Sequence, residues 1–175
     1  MHFEITKIAL MKGYNVIVDK PLSLSLKETN ILLKIAKKKS LLLAEATLFQ
    51  YHTVFTKMMQ LCGSRKNITK ILTNFSIPDI PYKRDPKELI KLKMDCENDM
   101  GSYAAAIIRL FTNNKITKIK VNREYFNKTK CVKSFYFASE IGNCDFFGNF
   151  QFCATYMNQI SLFTKKFRDL PKWLK

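Results

Sequence analysis

The chain has 175 residues, of which 47% are hydrophobic, and a formal net charge of +16. This length and apolar content allow one hydrophobic core, or one core with an attached half domain, and argue against a disordered chain. The longest apolar runs are far shorter than the ~20 residues of a membrane-spanning helix, and the first residues lack a signal-peptide pattern. We therefore expect a cytoplasmic protein without a membrane partner.

The positive charge raises the question of nucleic-acid binding. The 30 basic residues comprise 25 lysines and only five arginines, whereas bidentate recognition of guanine and phosphate relies on arginine. The lysines are spread along the chain, and the run Lys37-Lys38-Lys39 lies at a predicted helix end, where cations complement the helix dipole. We favour a solvated basic surface over a nucleic-acid interface, and a basic nucleic-acid binder remains the weaker alternative.

The five cysteines are an odd set without a Cys-x-x-Cys pair, and only two histidines could join them as nitrogen ligands. This pattern argues against a structural zinc site and against a disulfide framework. No metal is expected.

The first 50 residues are predicted to alternate helices with strands. Apolar spacing indicates helices over 2–11 and 25–38, and Gly13 is a typical helix stop. Apolar runs predict parallel-type strands over 14–18 and 41–46. This order predicts an α/β remnant of a larger parallel sheet.

The remaining chain is predicted to form an α+β domain with a mainly antiparallel sheet, because strand patterns there follow a helix pattern. Alternating apolar residues predict five strands, over 70–77, 116–122, 132–139, 148–154 and 159–163. Helices are predicted over 51–61 and 99–111, and the proline-rich stretch 78–91 is predicted to be an irregular loop.

The late strands carry an apolar face. Phe135 and Phe137 share one face of their strand, and Phe150 and Phe152 share one face of theirs. We expect the helix that begins at Asp99 to cover this face.

One lysine follows a predicted strand at once. The run Val16-Ile17-Val18 ends in Asp19-Lys20-Pro21, and a capping box, Ser25-Leu26-Lys27-Glu28, opens the next helix. In open parallel sheets ligands bind beyond the carboxyl ends of the strands, so Lys20 lies where a reactive group is useful. Alternatively, Lys20 faces solvent at a strand end.

Two motifs resemble one enzyme family. The segment around Asp19-Lys20-Pro21 resembles the Glu-Lys-Pro strand end of the glucose-fructose oxidoreductase, inositol dehydrogenase and MocA (Gfo/Idh/MocA) family, with Asp19 in place of Glu. Asp99-Met100-Gly101-Ser102-Tyr103 resembles the family's Asp-x-Gly-x-Tyr helix start. Phe75-Ser76-Ile77-Pro78 resembles the substrate-side strand of members that act on nucleotide-linked sugars.

The resemblance implies an NAD(P)-dependent oxidoreductase that acts on a sugar or sugar nucleotide. Residues 1–50 would be the C-terminal part of a Rossmann domain, and residues 51–175 a substrate and oligomerisation domain, truncated in its sheet. Family members pair through this sheet, so a homo-oligomer is implied.

The resemblance also implies roles for individual residues. Lys20 and Tyr103 would be catalytic and transfer the proton, while Asp99, Tyr51 and His52 would bind substrate. Asp19, Lys20, Pro21 and Glu45 would contact NAD or NADP. The residues themselves leave alternatives open: Asp99 as a helix cap, Tyr103 as a half-buried aromatic, His52 as a structural histidine and Glu45 as a surface carboxylate.

The cofactor fingerprint of this family is missing. None of the five glycines stands in Gly-x-Gly-x-x-Gly spacing, and Lys93-Met94-Asp95 stands where relatives place a run of glycines. We expect an internal piece of an enzyme that does not turn over alone. The alternative is a non-catalytic remnant that serves as an oligomerisation or binding module.

Overall fold

A computed structural model describes residues 2–79, 85–113 and 115–165. The chain divides into two compact units, Met1–Leu48 and Phe49–Lys175. Among the residues so described, no helix has the length and apolar character needed to cross a membrane.

The first unit is a two-stranded parallel sheet with two helices. Its elements in chain order are α1 (His2–Met11), β1 (Val16–Asp19), α2 (Leu26–Lys38) and β2 (Leu43–Ala46). Strand β1 pairs in parallel with β2, which confirms the predicted α/β order. Leu10, Leu32 and Ala36 form its buried core.

Local signals set the helix ends of this unit. The backbone N–H of Glu28 donates to Ser25 Oγ at 3.2 Å, and Leu24 N donates to Glu28 Oε2 at 3.3 Å, so the predicted capping box forms. Gly13 follows α1 with a φ of +90°, a conformation that favours glycine.

The second unit is an α+β domain with a five-stranded sheet. A short 3-10 turn, Leu48–Tyr51, leads into it. The elements that follow are α3 (Thr53–Cys62), β3 (Ile68–Ile77), α4 (Pro86–Leu92), α5 (Cys96–Phe111), β4 (Ile116–Tyr125), β5 (Val132–Ile141), β6 (Cys144–Phe152) and β7 (Met157–Thr164). The strand order is β4-β5-β6-β3-β7, and every neighbouring pair is antiparallel except β3 with β6. The mainly antiparallel sheet is confirmed.

Several predicted boundaries are wrong, and two of the differences concern helices. The stretch 78–91 was expected to be a loop, yet α4 begins at Pro86 behind Asp85, whose carboxylate accepts from Lys87 N. Proline is compatible with the first turn of a helix, so its presence did not exclude one. Helix α5 begins three residues before Asp99, because Asp95 caps it by accepting from Asn98 N at 3.0 Å. Residues 80–84 lie outside the described part.

The core lies between α5 and one face of the sheet. Phe135 on β5 stands opposite Phe150 on β6, and their rings stack with centroids 4.7 Å apart. Phe146, Phe150 and Phe111 are fully buried. The predicted apolar face under the helix is therefore confirmed.

The opposite face of the sheet is not covered by any described element. One row of neighbouring residues across this face consists of Lys118 on β4, Glu140 on β5, Asp145 on β6, Lys70 on β3 and Phe163 on β7. A second row reads Asn122, Tyr136, Asn149, Asn74 and Gln159. We call this surface the open face.

All five cysteines are thiols. Burial raises the pKa of Cys62, Cys131 and Cys144, and the charge of Asp95 adds to the effect at Cys131. A thiol kept protonated is a poor nucleophile and a poor metal ligand. Within the described ranges, no group of three His, Cys, Asp or Glu side chains could hold a metal ion.

Substitution of Gly148 on β6 tests the packing of the aromatic core. A Cβ at this position would lie 2.5 Å from Phe150 Cε2 and 3.0 Å from Phe146 Cε1, whereas a Cβ at Gly101 on α5 would meet nothing within 4 Å. Gly148→Ala should lower the free energy of unfolding by about 1–3 kcal/mol through overpacking. The control Gly101→Ala should match the wild type or exceed it by up to ~1 kcal/mol, because alanine favours the helix. Urea denaturation measures both, and equal stability of the two variants would contradict the packing described here.

Candidate functional site

Lys20 lies in a turn that the chain itself holds in place. The turn follows β1, and the Lys20–Pro21 peptide bond is cis. Lys20 N donates to Asp19 Oδ1 at 2.8 Å, and the ring nitrogen Nδ1 of His2 donates to the Pro21 carbonyl at 2.9 Å. The Lys20 side chain is half-buried. The Asp19 carboxylate therefore positions the backbone of the turn.

Glu45 is the main support of this turn. Its Oε2 accepts from Leu22 N at 2.8 Å, and its Oε1 accepts from the buried Thr47 hydroxyl at 2.8 Å. Hydrogen bonds to a charged acceptor are the stronger class. Because Glu45 is the residue before the last of β2 and Leu22 follows Pro21, the carboxylate joins the carboxyl ends of the two strands.

The second unit contains a cavity of about 600 Å³. Its walls come from the Leu48–Tyr51 turn, α3, β3, α5 and the beginning of β7, and they are mostly aromatic or methionine side chains. The lining residues used below are Phe49, His52, Met58, Phe75, Tyr103 and Asn158. Within the described part of the chain, no Lys, Arg, Asp or Glu lines it. An apolar cavity of this size with a few polar groups is typical of small-molecule sites.

The ring of Tyr103 is fixed on two sides. It stacks on Phe75 with centroids 5.8 Å apart and an interplanar angle of 11°, and it meets Phe49 edge to face at 5.2 Å. Phe75 in turn stacks on the buried Phe150 at 5.9 Å. The ring orientation of Tyr103 is therefore set by the core of the sheet.

His52 both caps α3 and lines the cavity. Its Nδ1 accepts from Val54 N at 3.2 Å. In the neutral imidazole, an accepting Nδ1 leaves the proton on Nε2, so His52 presents a donor. The structural role named for His52 is thus observed, and it is compatible with ligand binding.

The other predicted substrate residues lie elsewhere. Tyr51 is 78% exposed, and neither Tyr51 nor Asp99 is among the cavity-lining residues. Asp99 lies one turn before Tyr103 on α5. Their roles stay predictions, as does the convergence of Lys20, Asp99 and Tyr103, since Lys20 belongs to the first unit and the other two belong to the second.

Several cavity residues were not identified from the sequence. Met58, Met157 and Asn158 line the cavity, yet α3 and β7 carried no motif. The only sequence signal for this cavity wall was the alternating pattern that includes Phe75 on β3. Strand β7 pairs with β3 in the folded sheet, and its residues line the cavity beside Phe75.

The described residues do not fit a complete dinucleotide site. Both oxygens of Glu45 and one oxygen of Asp19 already accept hydrogen bonds from the protein. No glycine spacing in the sequence provides the turn that lets the backbone approach a pyrophosphate. Asp19, Lys20, Pro21 and Glu45 therefore provide at most one edge of such a site.

Comparison with known proteins agrees with the motif around Lys20. Residues 1–47 match the model of the oxidoreductase family with an NAD-binding Rossmann fold, Gfo/Idh/MocA. A dTDP-3,4-didehydro-2,6-dideoxy-α-D-glucose 3-reductase from Streptomyces violaceoruber is 33% identical over 92 residues, which cover 49% of this chain and 27% of that relative.

Solved structures share the fold across nearly the whole chain. A 3-ketoreductase from Actinomadura kijaniata, in complex with NADP and TDP-benzene, matches with a TM-score of 0.82 and 19% identity. UDP-N-acetylglucosamine 3-dehydrogenase from Acidithiobacillus ferrooxidans matches with a TM-score of 0.78 and 15% identity. Each match covers 94% of this chain and 51% or 52% of the relative, so the chain spans about half their length. The chain is thus similar to the Gfo/Idh/MocA family of oxidoreductases over residues 1–47, and it shares the fold of these solved structures.

Proposed function

We propose that this chain carries the substrate-binding and proton-transfer part of an NAD(P)-dependent oxidoreductase that acts on a keto or hydroxyl group of a sugar or sugar nucleotide. The observation that carries the proposal is the aromatic cavity in which Phe49 and Phe75 clamp Tyr103. The sugar-nucleotide activities of the relatives support the choice of substrate class.

The chemistry of the cavity favours a neutral group over a charged one. Among the described residues, no charged side chain lines it to pair with a phosphate. Aromatic rings can pack on the C–H faces of a sugar or on a base, and the few polar groups can bind its hydroxyls. His52 supplies a donor and Asn158 supplies both donors and an acceptor. The sugar or the base of a sugar nucleotide is therefore the part that this cavity receives.

Lys20 and Tyr103 are the proposed proton-transfer groups. Reduction of a ketone produces an alkoxide, which needs a proton from a positioned acid. The Lys20 ammonium can donate that proton or stabilise the oxyanion as a fixed cation, and Glu45 keeps its turn in place. Tyr103 assists from the cavity.

The isolated chain is expected to show no turnover. The described residues do not fit a complete dinucleotide site, and orientation of the reactants alone accounts for ~7–11 kcal/mol of barrier reduction in favourable cases. Acid catalysis by Lys20 and Tyr103 contributes typically ~10²–10⁴-fold and cannot replace this loss. The groups that distinguish NAD from NADP would belong to the part of the dinucleotide site that the described residues do not provide.

Binding of a sugar nucleotide to the isolated chain tests the cavity. A TDP-linked sugar should bind, and Tyr103→Phe should weaken binding by about 2- to 12-fold, because one hydrogen bond is worth roughly 0.5–1.5 kcal/mol. The control is Tyr125→Phe, which removes a hydroxyl from an exposed tyrosine on β4 that does not line the cavity. Isothermal titration measures all three. If no TDP- or UDP-linked sugar binds, or if both variants bind like the wild type, the proposed function fails.

The open face is the proposed surface for self-association. It exposes Tyr136, Phe147 and Leu72 at 41%, 45% and 37%. In the row of Lys118, Glu140, Asp145 and Lys70, the outer two charges are positive and the inner two are negative. A second copy packed with this row in register would place like charges opposite one another, so the exposed apolar residues and not this row support the proposal. An exposed apolar patch with polar surroundings is typical of an interface.

A lysine in the centre of the open face should prevent pairing. We expect the wild type to sediment as a dimer and Phe147→Lys to sediment as a monomer. Leu61→Lys is the control, because Leu61 is 65% exposed and belongs to α3 and not to a strand of the open face. Analytical ultracentrifugation distinguishes these states. A monomeric wild type at the highest attainable concentration, or a dimer that tolerates Phe147→Lys, would refute the interface.

A further inference from the structure

The turn 153–156, which joins β6 to β7, is fixed at the carboxyl end of β3. Ala154 N donates to the carbonyl of Ile77, the last residue of β3, at 3.2 Å. The buried Ser76 hydroxyl donates to the Thr155 carbonyl. Because both contacts are made by the last two residues of one strand, the turn has a defined position beside the cavity.

Alternate residues of β7 lead from the core to the opening of the cavity. Leu162 and Ile160 pack against the core of the second unit. Asn158, the next in this series, stands opposite Phe75 and lines the cavity. Side chains two residues apart lie on the same face of a strand. Tyr156 continues the series directly before β7; it lines the cavity and is 66% exposed. The ring of Tyr156 therefore lies where the cavity opens to solvent.

An exposed aromatic ring at a cavity opening is suited to a flat, conjugated ligand. The hydrogen bonds of the preceding turn residues fix the backbone from which the Tyr156 ring projects, so little order is lost when a ligand stacks on it. Stacking of a nucleobase on an aromatic side chain contributes ~1–3 kcal/mol per base. A single ring of this kind can therefore provide a large share of the affinity for a nucleotide.

The charge of the ligand decides which of its parts reaches Tyr156. Under the proposed function, the reacting carbon lies beside Tyr103, which Phe49 and Phe75 hold in the cavity wall. In the described ranges, the lining contains no charged side chain, and removal of an unpaired phosphate from water is costly. The diphosphate therefore stays at the opening, and the nucleoside beyond it lies outside the enclosed space.

We propose that the ring of Tyr156 stacks on the nucleobase of the sugar nucleotide and determines the affinity for its nucleotide part. The inference rests on the proposed function, because it takes the ligand to be a sugar nucleotide whose sugar lies at Tyr103. Tyr156 binds the base and takes no part in proton transfer. Every base has a π face, so stacking tolerates different bases, and both TDP- and UDP-linked sugars fit this arrangement.

Titration with a nucleotide that carries a sugar and one that does not tests the inference. The two probes are TDP-glucose and TDP, each titrated calorimetrically into the full chain. Tyr156→Ala should weaken binding of both probes by the same factor, about 5- to 150-fold, which corresponds to the loss of ~1–3 kcal/mol of stacking. Tyr156→Phe keeps the ring and should bind both probes like the wild type.

Three further variants separate stacking from other effects. Tyr156→Leu keeps an apolar side chain without a flat ring, so it should lose affinity as Tyr156→Ala does. Tyr125→Ala is the matched control, because it removes a half-exposed ring on β4 that does not line the cavity, and it should bind like the wild type. Tyr103→Phe should weaken TDP-glucose alone, since TDP has no sugar to reach that hydroxyl. Circular dichroism verifies that the variants fold.

The outcomes separate the base subsite from the proposed function. Wild-type affinity of Tyr156→Ala or Tyr156→Leu for TDP, or a loss restricted to TDP-glucose, would overturn the inference. The proposed function would then stand if TDP-glucose binding still depended on Tyr103. Binding of TDP that depends on Tyr156, combined with TDP-glucose binding that does not depend on Tyr103, supports the base subsite and contradicts the proposed function. A wild type that binds neither probe contradicts both.

Discussion

A continuous stack of aromatic rings connects the core of the second unit with its cavity. The stack runs from Phe135 through Phe150 and Phe75 to Tyr103, with centroid separations of 4.7, 5.9 and 5.8 Å. It crosses three strands and ends on α5, so the position of the helix and the register of the sheet are coupled. Aromatic pairs of this kind add ~0.5–1.5 kcal/mol each beyond the burial of their surface. The cavity depends on this packing, because one of its walls is the last ring of the stack.

The stack also explains why β3 occupies the interior of the sheet. Phe75 of β3 stands opposite Phe150 of β6 in a parallel pair, and this register brings the rings together. The preceding ring pair of the stack, Phe135 with Phe150, comes from the antiparallel pairing of β5 with β6. Gly148 leaves room for the rings, since a Cβ there would collide with Phe150. Sheet order, glycine placement and cavity wall therefore follow from one packing requirement.

Local features of the fold were predictable from the sequence. The Ser25 capping box, Gly13 after α1 and the alternating phenylalanines of the late strands all act through neighbours a few residues away. The parallel pairing of β3 with β6 was not predictable, because it joins segments about 75 residues apart and no local rule specifies it. The beginning of α5 was misplaced since Asp95 and Asp99 are both acceptable N-caps, and only Asp95 also accepts from Val132 N.

In the candidate site, too, local features were predictable from the sequence and long-range contacts were not. The motif around Lys20 and the helix with Tyr103 were evident from residue type and spacing. The tether from Glu45 to Leu22 was not, because it joins two strand ends that meet only in the folded sheet. The methionines and Asn158 of the cavity likewise depend on where β7 pairs. Chemistry-bearing residues could thus be identified, while the groups that orient them required the structure.

The central claim is that the sheet core orients Tyr103 for ligand binding, and Phe75→Leu tests it most directly. Isothermal titration with a TDP-linked sugar should show a loss of affinity comparable with that of Tyr103→Phe, although Phe75 has no polar group. Phe163→Leu is the control, since Phe163 is 46% exposed on the open face, and it should bind like the wild type. A folded Phe75→Leu protein with wild-type affinity would contradict the claim.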